Sequence, residues 1–408
     1  MRIRESTSTR VARNISRAEV LKVIRTEGHI SRSRLAEMVP DSRATVSSIV
    51  SELLQAGVLE EVGEGQSTGG RRPVRLRYRP ESKMAMGLVL FDNKIQAVLT
   101  DMEGNPVSDY LQISMPGAEA ELMLESMKEV AEHLLNGVRR DRVLGVGVGV
   151  PGIVDFETGV IEISVSKGWL EGGIKVREFL EGALGLPVYV ANRSRVAALG
   201  EYQVGMGYGV SNLIYLFLGQ GIVAGTVIDG RLYLGPGSSA GEIGHVSVVP
   251  DGPLCDCGNR GCLEVYATEA AILARARALA KEEPGSLLQR AVDSHLERLT
   301  VEHVIQSAQQ GDSCALAVLD EAGTQVGVAV STLINLFNPE MVIIGGPIGS
   351  LAGQLLLDPV IKEAQRRTLS RPFNMTKIVN GTLGTKAVAI GAAVLAINHT
   401  PVDAVFVI

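Results

Sequence analysis

The sequence predicts an α/β protein in two parts: a winged helix-turn-helix head over residues 1–80, and a larger body over residues 81–408 in which strands and helices alternate. Three observations lead there. At 408 residues the chain is too long for one compact core, given about 150 residues per domain. Short amphipathic helical patterns fill the first 55 residues, whereas apolar strand-like runs recur from residue 84 onward. The charge changes sign at the same boundary. Residues 1–80 hold 15 Lys or Arg against 9 Asp or Glu, leaving 24 against 36 for the rest, so the overall −6 is a head of +6 joined to a body of −12.

With 46% apolar and 21% charged residues the chain reads as globular, and 46 glycines without a period exclude a collagen-like repeat. The opening MRIRESTSTR lacks the apolar stretch of a signal peptide. The longest apolar runs, near Leu144–Val154 and Ala387–Ile397, are too short to span a bilayer, so the expected location is the cytoplasm.

In the head, Ser16 to Glu19 has capping-box spacing, and Val20, Leu21 and Ile24 give an apolar stripe that Gly28 stops. A second helix fits Ser31–Val39, with Ser31 as N-cap and Leu35, Met38 and Val39 inward. After the Pro40-Asp41 turn, Val46, Ile49, Val50, Leu53 and Leu54 recur with helical period. Residues 57–62 and 74–78 read as two strands of a wing. The polar face of the third helix offers Ser42, Arg43, Thr45, Ser47 and Ser48, short donors and acceptors suited to base edges and phosphates in a major groove. The wing tip, residues 69–73, carries Arg71 and Arg72, which suit a minor groove or the phosphate backbone. A structural or protein-binding module would show the same three helices. The net charge, the turn before the third helix and the absence of acids from Ser42 to Val50 favour DNA.

In the body, residues 84–101 alternate and end in Asp101-Met-Glu-Gly-Asn105, a hairpin-like sequence. Further strands are expected at 143–150, 187–191, 213–218 and 341–345, and helices at 122–138 and 315–336, which makes mixed sheets in two strand-rich halves. Three of the four cysteines fall within eight residues. His245, Cys255, Cys257 and Cys262 supply one imidazole and three thiolates, a closed tetrahedral set for structural Zn²⁺, while Cys314 reads as a small core residue.

Four segments together carry a family resemblance: Gly149 to Asp155 (GVPGIVD), Gly241 to His245 (GEIGH), Cys255 to Glu264 (CDCGNRGCLE) and Asn338 to Gly346 (NPEMVIIGG). In this order they resemble the ROK family of repressors and sugar kinases, and the head places the likeness in its NagC/XylR/Mlc-type repressor branch. The resemblance implies a two-lobed actin-like body with a ligand cleft. Its small lobe would take in about 84–195 plus a C-terminal helix near 385–400, and its large lobe about 196–384. It further implies that Asn192, Glu242, His245 and Glu264 hydrogen-bond sugar hydroxyls, so that a metal at His245 would position part of the effector site.

The same resemblance implies lost catalysis. Where ROK kinases carry an Asp-x-Gly-Gly-Thr phosphate loop, this chain reads Val89-Leu-Phe-Asp-Asn93, and the second phosphate turn reads Gly219-Gln-Gly-Ile-Val-Ala-Gly225. Arg193 occupies the general-base position, where a guanidinium cannot accept a proton near neutral pH. Val165 stands where kinases place a sugar-contacting Asn. Arg193 would either bind an anionic effector by a bidentate pair or neutralise Glu242 or Glu264.

The expectation is therefore a DNA-binding transcriptional regulator, a repressor of carbohydrate-related genes. It is not an enzyme, takes structural Zn²⁺ but no ATP, and binds a double-stranded operator as a homodimer or higher oligomer under control of a sugar or sugar derivative. Two rivals stand beside it: a ROK sugar kinase with a DNA-binding head, and a regulator released by a protein partner such as a transporter component.

Overall fold

The computed structural model describes residues 7–64, 74–91, 94–115, 119–163 and 173–400. In the head, helix α1 (Thr7–Glu27) ends at Gly28, whose φ of 67° lies in the left-handed region. Ser16 does not begin this helix. It lies mid-helix, and its hydroxyl donates to Asp41 Oδ1 at 3.0 Å, fastening α1 to the turn before the third helix. A short strand β1 (His29–Ser31) follows, then α2 (Arg32–Met38), capped by Ser31, and α3 (Arg43–Gln55), capped by Ser42. Leu35, Val39, Val46, Ile49, Val50 and Leu53 are buried together, whereas Met38, expected inward, is 39% exposed at the last turn of α2. Strands β2 (Leu59–Glu64) and β3 (Val74–Tyr78) pair antiparallel, and β3 also pairs with β1, giving the order β1-β3-β2.

The body holds two five-stranded mixed sheets. The first contains β4 (Met84–Leu90), β5 (Lys94–Asp101), β6 (Leu111–Ser114), β7 (Val143–Val150) and, after the small ladder β8 (Ile153–Asp155), β9 (Val160–Ile163) and β10 (Ile174–Lys175), β11 (Val188–Asn192). Its order is β11-β7-β4-β5-β6. The expected hairpin is present: β4 and β5 pair antiparallel from Met84 opposite Asp101 to Leu90 opposite Ile95, and the Asp101 carboxylate accepts from the backbone N–H groups of Glu103 and Asn105. Helices α4 (Ala120–Leu135) and α5 (Val176–Leu184) cover one face through Met123, Met127, Leu180 and Leu184.

Helix α6 (Arg193–Val204) leads to the second sheet: β12 (Leu213–Leu218), β13 (Ile222–Ile228), β14 (Arg231–Tyr233) and later β15 (Met341–Gly345) and β16 (Lys377–Asn380), in the order β14-β13-β12-β15-β16. One face is covered by α7 (Glu264–Ala267), α8 (Glu269–Glu282), α9 (Leu287–Arg290), α10 (Val301–Gln309), α11 (Ser313–Phe337), α12 (Gly346–Ala352) and α13 (Gln354–Arg367); α14 (Ser370–Met375) precedes β16. The last helix, α15 (Lys386–His399), packs with α6 against the inner faces of both sheets, where Val89, Val196, Tyr215, Ile343 and Ile390 form one core. Among the described residues, no helix is long and apolar enough to cross a membrane.

Candidate functional site

The expected effector residues stand at the start of α6, in the segment 235–245 and at the start of α7. Asn192 is 7% exposed and caps α6: its Oδ1 accepts from Ser194 N at 2.9 Å and Arg195 N at 3.4 Å, while its Nδ2 donates to Gly152 O at 2.9 Å. Arg193, equally buried, lies with its guanidinium 5.9 Å from the centre of the Phe91 ring, at the end of β4. Phe91 directly follows β4; residues 92 and 93 lie outside the described residues, as do Val165, Arg71 and Arg72.

The cation that neutralises Glu242 is Arg195, not Arg193. Arg195 Nη2 lies 2.5 Å from Glu242 Oε1, with the arginine side chain 2% exposed. Burial pushes the Glu242 carboxyl above its ordinary value, opposed by Arg195 and His245, and burial lowers Arg195. Desolvation of both charges is the cost that their bond offsets. Arg195 lies outside the family pattern that singles out Arg193; its signal in the sequence is a second arginine on the same helical turn. Glu264 Oε1 accepts from Ile222 N at 2.9 Å, and its other oxygen lies 3.8 Å from His245 Nδ1. Of the five expected effector residues, Glu242, His245 and Glu264 lie near one another, whereas Asn192 caps α6 and the Arg193 guanidinium faces Phe91.

The metal ligands converge as their spacing predicts. One ligand atom each from His245, Cys255, Cys257 and Cys262 lies within 4.8 Å of the others. Cys257 Sγ and Cys262 Sγ are 3.7 Å apart, and Cys255 Sγ is 3.8 Å from His245 Nδ1. An ion with sulfur about 2.3 Å away holds tetrahedral ligands about 3.8 Å apart, so the set fits. The loop closes because Gly261 has φ 67° and a Cβ there would lie 1.7 Å from Val249 O. Cys314 is remote from this group and buried, its Sγ 2.9 Å from Glu283 Oε2.

In the head, Ser42 Oγ accepts from Thr45 N at 3.1 Å and lies 2.9 Å from Thr45 Oγ1, so both hydroxyls serve the helix cap. Arg43 and Ser47 stand exposed on the same face of α3.

Comparison with known proteins places this architecture. The pattern described as the ROK family matches residues 86–399. The chain belongs to the ROK family. A xylose repressor of Caldicellulosiruptor bescii is 33% identical over 390 residues, covering 95% of this chain and 96% of the repressor. The crystal structure of a ROK family transcriptional regulator, a homologue of the Escherichia coli MLC protein, superposes with a TM-score of 0.84 over 97% of this chain and 98% of its own, at 27% identity. A ROK family glucokinase from Streptomyces griseus, solved with glucose and AMPPNP, reaches 0.68 at 31% identity over 76% of this chain and 98% of its own. The body therefore has the mixed α/β, actin-like fold of ROK proteins, and the regulators match the head as well.

Proposed function

We propose that this chain is a sugar-responsive transcriptional repressor. The carrying observation is the extent of likeness: repressors and regulators align over nearly the whole chain, head included, whereas the glucokinase is nearly fully covered while leaving about a quarter of this chain unmatched. On this reading α2 and α3 form a helix-turn-helix with the β2–β3 hairpin as its wing, and Arg43, Ser47 and the wing arginines Arg71 and Arg72 contact DNA, with Ser42 and Thr45 setting the start of α3. Two heads are needed for tight specific binding, since one such module offers too little interface, so the working unit is a homodimer or larger. Zn²⁺ held by His245, Cys255, Cys257 and Cys262 has a structural role, fixing His245 and, through the Cys262 loop, Glu264. The effector lies among Glu242, His245, Glu264, Asn192 and Arg193. Sugar phosphorylation is not expected: a guanidinium at position 193 cannot act as base, and Phe91 and Asp92 stand where the phosphate loop of ROK kinases carries glycines.

The test is selection of duplexes from a random library with the full-length protein, followed by release assays with D-xylose, D-glucose, glucose 6-phosphate and N-acetylglucosamine 6-phosphate. One sequence should be enriched, and one sugar should lower its affinity by at least about tenfold, within the usual range of coupling. Sugar-dependent ADP formation without DNA enrichment would establish the kinase instead. Heat on titration with a neutral sugar alone would end the idea that Arg193 selects an anion.

A further inference from the structure

The Arg195–Glu242 pair sits where three parts of the chain meet. Besides Glu242, Arg195 donates to the Ser238 carbonyl, so one guanidinium fastens the segment 235–242 to α6. Ser238 is also held from the small β8–β10 ladder: its hydroxyl accepts from Phe156 N at 3.3 Å, just beyond β8. Phe156 packs on His399, the last residue of α15, with ring centroids 4.8 Å apart, and the His399 carbonyl accepts from the Tyr189 hydroxyl at 3.0 Å.

Helix α15 is seated backbone against backbone. A Cβ on Gly391 would lie 1.7 Å from Val196 O, and one on Gly200 would lie 2.2 Å from Ala387 O, which locks α15 to α6. On the other side, a Cβ on Gly87 or Gly147 would lie 1.8 Å or 1.7 Å from the carbonyls of Ala389 and Ala392. With no side chain between the elements there is no slack, and a shift of α6 must move α15. The far end of α15 reaches the head. Ile397 packs against a core that joins head residues to Met102 and Leu144, and Ile397, Asn398 and Thr400 face Leu21, Arg25 and Tyr78 across a cavity of about 600 Å³. A junction with that much open space can take up a second arrangement without unpacking a dense interface.

On the reading that the chain is a sugar-controlled repressor, we infer that Arg195 is the positioning residue that couples the effector cleft to the head. A sugar that bonds Glu242 competes with Arg195 for the carboxylate, and α6, α15 and the Phe156–His399 contact carry the resulting shift to α1. The experiment compares the full-length protein with Arg195→Met and with His399→Ala, an exposed residue outside the expected effector set. Operator affinity is measured with and without saturating D-xylose, D-glucose and glucose 6-phosphate in separate arms, alongside sugar affinity by calorimetry and Tm.

In Arg195→Met, sugar-free operator affinity should stay within about threefold of the parent, while the effect of sugar shrinks to under about twofold; a purely structural residue would lower Tm and both affinities and leave the coupling ratio in place. Should Arg195→Met fold poorly or bind no sugar, His399→Ala decides: a coupling ratio cut to half or less supports the relay, and an unchanged ratio overturns it. Full release by sugar in both variants overturns it too. If no sugar changes operator affinity in the parent protein, the repressor reading itself fails and takes the relay with it.

Discussion

Cys262 is the fully buried member of the metal cluster and stands two residues before Glu264. If the cluster holds zinc as proposed, losing this ligand breaks the set and frees the loop that leads to α7. Cys262→Ser should lower bound zinc from about one ion per chain to under about a tenth, and sugar affinity by about tenfold or more, read by elemental analysis and calorimetry. Operator binding without sugar should persist, because the head's core contains none of these residues. The cluster was legible in the sequence because three ligands are local and glycines let the loop fold back. Arg195 was not, since its partner Glu242 is 47 residues away and only the fold brings the two to 2.5 Å. Ser16 misled for a related reason: a hydroxyl three residues before a glutamate looks like a cap, but its partner is Asp41, 25 residues on.

At the scale of elements, long periodic runs were read nearly to their ends. Expected helices over 122–138 and 315–336 appear as α4 and α11, because each buries a continuous stripe. Strand β1 was missed: three residues with one buried apolar side chain give no pattern, and the pairing comes from β3. The orientation of α3 also rests on tertiary contacts. Glu52, in its last turns, is bonded by Arg13 and by Arg17, the latter at 2.7 Å, both from α1. Burial pushes the Glu52 carboxyl up, but the two arginines outweigh it and hold it below the ordinary range. A depressed folded-state pKa gives stability that is complete above the unfolded value near 4.5 and is lost as pH falls through the folded one. Glu52→Gln should therefore cost about 1–2 kcal/mol at pH 7, seen as a lower Tm, and the deficit should vanish in acid. Operator affinity should fall by about threefold or more as α3 loses its brace against α1.

At the scale of the whole molecule, a basic head and an acidic body imply that only the head is drawn to the duplex. Each phosphate neutralised by a side chain adds about 0.9 to the steepness of the salt dependence on B-form DNA. If Arg71 and Arg72 each meet one phosphate in both heads of a dimer, Arg71→Ala with Arg72→Ala removes four contacts, and the slope of log affinity against log salt should flatten by about three to four. Anisotropy measured from about 50 to 200 mM salt reads this directly. The matching control lies on the body, where Glu121 and Glu129 are exposed on α4. Converting both to Gln makes the protein less acidic overall, so a nonspecific charge effect would strengthen binding to any DNA. Contact by the head alone predicts an unchanged slope and unchanged preference for the operator. A slope unaffected by the arginine pair would place the phosphate contacts elsewhere, with Arg43 at the start of α3 the next residue to test.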